Sequence, residues 1–109
     1  MSETSRERVA RNQAAYRTIN EGIRAGSDPD EPGRRSFVCE CAILGCNQLV
    51  QLTLSEYEAV RYSSRRFVIV EGHEVPEAET VVWGSGDGTV MVEKDSDLAP
   101  ITSALDPRR

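Results

Sequence analysis

The sequence reads as an α+β chain on three observations: a helical pattern in its opening segment, a second short helical stretch announced by a capping box, and several strand-like runs separated by turn residues. From Thr4 to about Arg24, Val9, Tyr16, Ile19 and Ile23 recur at helical spacings with Arg and Glu between them, which predicts a helix with a narrow apolar stripe. Such a helix is marginal alone in water, so it must dock on its own domain, pair with another copy or await a partner. Gly26 to Gly33 combines chain breakers with acids and has no apolar residue, the composition of a linker about which the helix can swing.

Ser36 to Cys41 and Leu49 to Leu54 read as the arms of a hairpin, with Ala42 to Gln48 as a tight connection. Thr53 with Glu56 forms a capping box, and Tyr57, Ala59, Val60 and Tyr62 follow, so a helix of about ten residues is expected there. Phe67 to Val70 is a continuous apolar run suited to a buried strand, after which Glu71-Gly72 leaves the sheet and places His73 just past the strand end. Thr80 to Trp83 and Thr89 to Val92 flank Gly84-Ser85-Gly86-Asp87-Gly88, which predicts a second hairpin. That glycine-rich loop lacks the Lys-Ser or Lys-Thr ending and the following helix of a phosphate loop. Beyond Lys94 the chain is polar and carries Pro100 and Pro107. Composition thus divides the chain into an N-terminal helix with an acidic linker (1–35), a metal-stabilised α+β domain (36–94) and a mobile tail (95–109).

At 109 residues and 39% hydrophobic content, with few aromatic side chains, the core is small and a staple would help it. The net charge of −5 argues against non-specific binding to nucleic acid or to an anionic membrane, because phosphate attraction needs a basic face. No apolar run approaches the length of a membrane span, and the opening MSETSRERVARNQ is charged where a signal peptide needs an apolar stretch, so a cytoplasmic location is expected. In that reducing setting three close cysteines point to metal ligation or redox chemistry rather than a disulfide framework.

The most informative spacing is C-x-C-x4-C. Residues two apart in a strand face the same way, so Cys39 and Cys41 can lean toward one ion while Glu40 faces away. Gly45 gives the backbone the freedom to bring Cys46 back over them. A closed zinc site takes four ligands, and His73, the chain's single histidine, is the natural fourth. Closing the site would tie the first hairpin to a distant strand end and make Zn2+ binding part of folding. The readings weighed against structural zinc are an iron–sulfur or other metal centre, redox-active thiols, and inert cysteines. A hydrolytic or deaminating zinc would need an open position and a base; Glu40, Glu71 and Glu74 are near in sequence, but the H-x-E order of zinc deaminases is missing. Arg61, Arg65 and Arg66, with Arg34 and Arg35, could line a basic interaction surface.

The stretch FVCEC with Cys46, then LTLSEYEAVR, RFVIVEGHEVPE and a closing VMVEK, resembles a family of small, mostly actinobacterial, bacterial proteins with no settled activity. The RNQAAYRTINEGI opening is similar too, and the likeness spans most of residues 8–94, with Ala42 standing where many of those proteins have Gly. The resemblance implies that Cys39, Cys41, Cys46 and His73 correspond to that family's cysteine and GHE motifs. The functional expectation is a zinc-binding protein-interaction or regulatory module with an unidentified protein partner, with a thiol redox sensor and a zinc-dependent hydrolase or deaminase as alternatives.

Overall fold

A computed structural model describes residues 3–108; the outermost positions of the opening helical segment and of the tail lie outside them. The fold is α+β. Helix α1 (Ser5–Ala25) is followed by strands β1 (Arg35–Val38) and β2 (Leu49–Leu52), helix α2 (Leu54–Arg61), strands β3 (Arg66–Val70), β4 (Glu79–Gly84) and β5 (Thr89–Lys94), a single 3₁₀ turn (Ser96–Leu98) and helix α3 (Ala99–Ala104).

Both longer helices start where their capping chemistry dictates. Thr53 Oγ1 accepts from Glu56 N at 3.0 Å while Thr53 N donates to Glu56 Oε1 at 2.8 Å, so two otherwise unpaired donors are satisfied reciprocally. Thr4 and Glu7 do the same for α1.

The strands form two antiparallel sheets, β1–β2 and β3–β5–β4. Phe37 lies opposite Val50 in the first, and Phe67 opposite Val92 in the second. The residues on one face of the second sheet, Val68 and Met91, pack with Phe37, Val50, Leu52, Tyr57 and Val60 beneath α2; those on the other, Phe67, Ile69, Val90 and Val92, pack with Cys39 and Cys41. Phe37 and Tyr57 stack with ring centroids 4.4 Å apart. β4 carries an irregularity between Val81 and Trp83, a bulge at the sheet edge.

Beyond Val38 the chain passes from one sheet to the other. Cys39 N donates to Gln48 O at 3.0 Å, continuing the first ladder, and Glu40 N donates to Val68 O at 2.8 Å on β3. The strand expected to reach Cys41 therefore stops at Val38, because its next amides serve two different neighbours.

At the N-terminal end the docked alternative holds, and at the other end the expected mobile tail needs correction. The helix does not swing as a separate segment: α1 packs against β1 and α3 through Ala10, Gln13, Ala14, Arg17 and Asn20, all buried, while Ile19 of the expected apolar stripe is half exposed. The docking face can be polar because each of its long polar side chains finds at least one partner. Gln13 Nε2 reaches Glu79 at 3.2 Å, Arg17 donates to Ser64 O at 2.6 Å and Thr102 O at 2.7 Å, and Asn20 exchanges bonds with both backbone groups of Val38. Nor is the segment after Lys94 a loose tail. Leu98 packs on Ala10 and Ala78, Asp106 pairs with Arg61, and Arg108 grips Glu21 and Glu58.

Candidate metal centre

The cluster is assembled by three turns. The chain running out of β1 supplies Cys39 and Cys41, the loop 42–48 returns Cys46, and the turn after β3 supplies His73. Two glycines make the turns feasible: Gly45, at φ +78°, precedes Cys46, and Gly72, at φ +94°, precedes His73. Both lie in the left-handed region, where a side chain strains the backbone. Cys46 N donates to Ile43 O at 3.2 Å and His73 N to Val70 O at 3.0 Å, so hydrogen bonds fix both ligand-bearing turns.

The ligand atoms of Cys39, Cys41, Cys46 and His73 all lie within 4.8 Å of one another. His73 Nδ1 is 3.6 Å from Cys39 Sγ and 3.7 Å from Cys46 Sγ. Ligands at about 2.3 Å (sulfur) and about 2.0 Å (nitrogen) from one tetrahedral ion stand about 3.5 Å apart, so these separations suit a shared cation. Cys39 and Cys41 are buried, and Cys46 and His73 are half-buried at the rim. Burial, and then the neighbouring sulfurs, push the Cys39 thiol well above its usual range; burial also raises Cys41. A divalent cation reverses that balance, because it favours the thiolate form of each sulfur it binds. Val70 N donates to Cys39 Sγ at 3.2 Å, the kind of backbone contact that steadies a metal-bound thiolate.

Two of the three carboxylates weighed as bases are otherwise engaged. Glu40 does face away from the cysteines, into the interior, where its oxygens accept from Val68 N at 3.0 Å and Asn20 Nδ2 at 2.8 Å; burial raises its pKa to about 7. Glu74 accepts from Gly72 N at 2.9 Å and so closes the turn that carries His73. Glu71 is exposed.

The basic surface is not assembled. Arg61 is buried, held by Asp106 and by Glu21 at 3.4 Å, because α2 presents it inward against α1 and the chain end. Arg65 and Arg66 both lie against Glu93, and Arg65 also donates to Lys94 O at 3.0 Å. Arg34 pairs with Asp87, and Arg35 donates to the linker carbonyls of Asp28, Glu31 and Gly33.

The residues that sequence reasoning missed are Asn20 and Glu40 as supports. Together they hold Val38 and Val68, on either side of the crossing that delivers Cys39. The available signal was Asn20 falling on the same helical face as Ala10, Gln13 and Arg17. No described helix is long and apolar enough to cross a membrane. Comparison of the chain with protein-family models, curated proteins and solved structures finds no match, so function has to be read from the site.

Proposed function

We propose that the chain is a zinc-stabilised binding module of the cytoplasm, with a zinc ion held by Cys39, Cys41, Cys46 and His73 in a structural role. The observation that carries the reading is the convergence of three sulfurs and one imidazole nitrogen, drawn from two remote stretches of chain, within 4.8 Å. A mixed sulfur and nitrogen set suits zinc, which takes four such ligands without preference for other geometries. Four protein ligands complete that shell and leave no position for a reacting water, which speaks for a structural role over hydrolysis or deamination. The loop between two of the ligands bears Ile43 and Leu44 in solvent, which suits a surface that meets another protein.

Metal analysis of the purified chain tests this. One zinc per chain is expected, with Cys41→Ser and His73→Ala each losing bound metal; full stoichiometry in His73→Ala sinks the assignment of the fourth ligand.

A second reading, thiol redox sensing, is favoured by Cys46 standing half-exposed beside two further sulfurs. Peroxide would take two electrons from two thiolates, forming one disulfide and two hydroxides, with release of the metal. Thiol counting after mild peroxide decides: three free thiols with zinc retained rejects the sensor.

A further inference from the structure

The three sulfurs of the centre all belong to the run that leaves β1 and to the loop behind it, and only His73 comes from the far side, after β3. A coordinated cation therefore joins the two sheets. No disulfide among Cys39, Cys41 and Cys46 can do so, because each such bridge begins and ends on the same stretch of chain. Exchange of the metal for a disulfide thus opens the clamp whichever pair forms it.

The sulfurs differ in access and in anchorage. Cys39 is 2% exposed and Cys41 0%, whereas Cys46 is half-buried at the rim, so a small oxidant arriving from solvent meets Cys46 first. Any bridge needs its two sulfurs at about 2.05 Å, and from separations of up to 4.8 Å that takes local movement. Cys39 is held against such movement. Its N donates to Gln48 O at 3.0 Å, the next amide, Glu40 N, donates to Val68 O at 2.8 Å, and its Sγ accepts from Val70 N at 3.2 Å. Cys41 lies beyond those bonds, where the chain enters a loop whose bond from Cys46 N to Ile43 O is internal and whose Gly45 sits at φ +78°. Reshaping that loop brings Cys41 and Cys46 together without breaking either sheet. Zinc keeps the bound sulfurs as thiolates, the nucleophilic form, so the loaded centre is the reactive one.

We infer that Cys46 is a reaction site for hydroperoxides and that Cys41 resolves it, closing a Cys41–Cys46 disulfide that expels the metal and unclamps the first hairpin from the turn after β3. The Cys46 thiolate attacks the peroxide O–O bond and becomes a sulfenic acid as hydroxide leaves; the Cys41 thiolate then attacks that sulfur, the S–S bond forms and a second hydroxide leaves. Two electrons pass from the two sulfurs to the peroxide. Cys39 and His73 remain, too few ligands for a closed zinc site. The hairpin stays beside the larger sheet through Glu40, Val68 and the Phe37–Tyr57 core. The switch is therefore local and reversible by a dithiol.

This inference deepens the redox reading and rests on it and on the zinc reading. The test uses the full-length, zinc-loaded chain with hydrogen peroxide as the probe, zinc counted before and after, and remaining thiols blocked with iodoacetamide. Cleavage after glutamate separates residues 32–40, which hold Cys39, from residues 41–56, which hold Cys41 and Cys46. Mass spectrometry is expected to show Cys39 alkylated, and the fragment 41–56 free of alkylation and lighter than its reduced form by its two thiol hydrogens, with all bound zinc released. Dithiothreitol with added zinc should restore both the thiols and the metal. A cross-link between 32–40 and 41–56, or Cys46 carried to sulfinic acid beside an alkylated Cys41, overturns the Cys41–Cys46 assignment and leaves the redox reading standing. Three alkylated cysteines with zinc retained overturn both. A chain that carries no zinc before peroxide removes the zinc reading, and the unclamping with it.

Discussion

Lys94, the chain's single lysine, is fully buried with Glu79 at 2.7 Å, and Glu79 also accepts from Gln13 Nε2 and Val75 N. Burial pulls the Lys94 ammonium below its usual range, and Glu79 works against that pull. A carboxylate so surrounded cannot lose its cation cheaply: Lys94→Met is expected to destabilise the protein by about 3–5 kcal/mol in urea unfolding, because it leaves an uncompensated buried charge. A loss under about 1 kcal/mol would show that Glu79 can take up a proton or reach water. Asp106 and Glu21 around Arg61 behave differently. Burial raises both carboxyls, but for Asp106 the Arg108 amide with the Arg61 and Arg17 charges outweighs it, and for Glu21 Arg108 and the Tyr57 hydroxyl do so; both end below their usual values of 3.8 and 4.5. A depressed carboxyl gives stability that is fully present above its unfolded value and is lost as pH falls through its folded value. Asp106→Asn is therefore expected to cost about 2–3 kcal/mol at pH 7, and the gap in Tm between variant and wild type should narrow once pH drops below 3.8. A gap that stays constant down to acid unfolding would mean that Asp106 contributes through its shape alone.

At the level of elements, local chemistry carried in residue type was legible and burial of polar groups was not. The capping box at Thr53 and Glu56, the turns at Gly45 and Gly72, and the two hairpins all follow from residues acting on their immediate neighbours. The metal cluster was legible for a related reason, since sulfur and imidazole declare their chemistry by spacing and scarcity. The docked face of α1 was not, because a hydropathy pattern assumes that apolar residues face inward, and here Gln13, Arg17 and Asn20 take that place by finding partners far along the chain. The same holds for the chain end, where Thr102, Asp106 and Arg108 dock through polar contacts beside the buried Leu98, which is too sparse a hydrophobic signal to set a pattern. The two possible faces of α1 can be told apart by stability. Asn20→Ala strands Val38 N, Val38 O and one oxygen of Glu40, and is expected to cost about 2–3 kcal/mol. Ile19→Ala should change stability by less than about 0.5 kcal/mol, as an exposed substitution does. The reverse ranking in chemical denaturation would place the apolar stripe, and not the polar face, against the domain.

Across the whole molecule, two small sheets have few routes by which to hold each other. β1–β2 is a single hairpin, too small to persist alone in water, and β3–β5–β4 is a three-stranded sheet whose two faces need covers. The hairpin reaches the larger sheet through the Phe37 and Tyr57 core under α2, through Glu40 bonded to Val68, and through the sulfurs that meet His73. Only the last of these can be strengthened by a metal, and it is the one that also packs Cys39 and Cys41 against Phe67 and Ile69. Without a cation the contact with Cys39 sets a buried thiol, held protonated by that burial, against an imidazole, which is a much weaker tie than coordination. Chelation should accordingly remove several kcal/mol and lower Tm by more than about 20 °C, at roughly 4 °C or more per kcal/mol for a domain of this size. Hydrogen exchange adds the spatial signature: the amides of Cys39, Cys46, Val70 and His73 should lose protection first, while Phe67 and Ile69, whose amides face β5 within the larger sheet, exchange only on global unfolding. If the loop and sheet amides lose protection together, the cation supports the entire fold; if a chelated sample melts like the untreated one, the four ligand atoms do not clamp the two sheets.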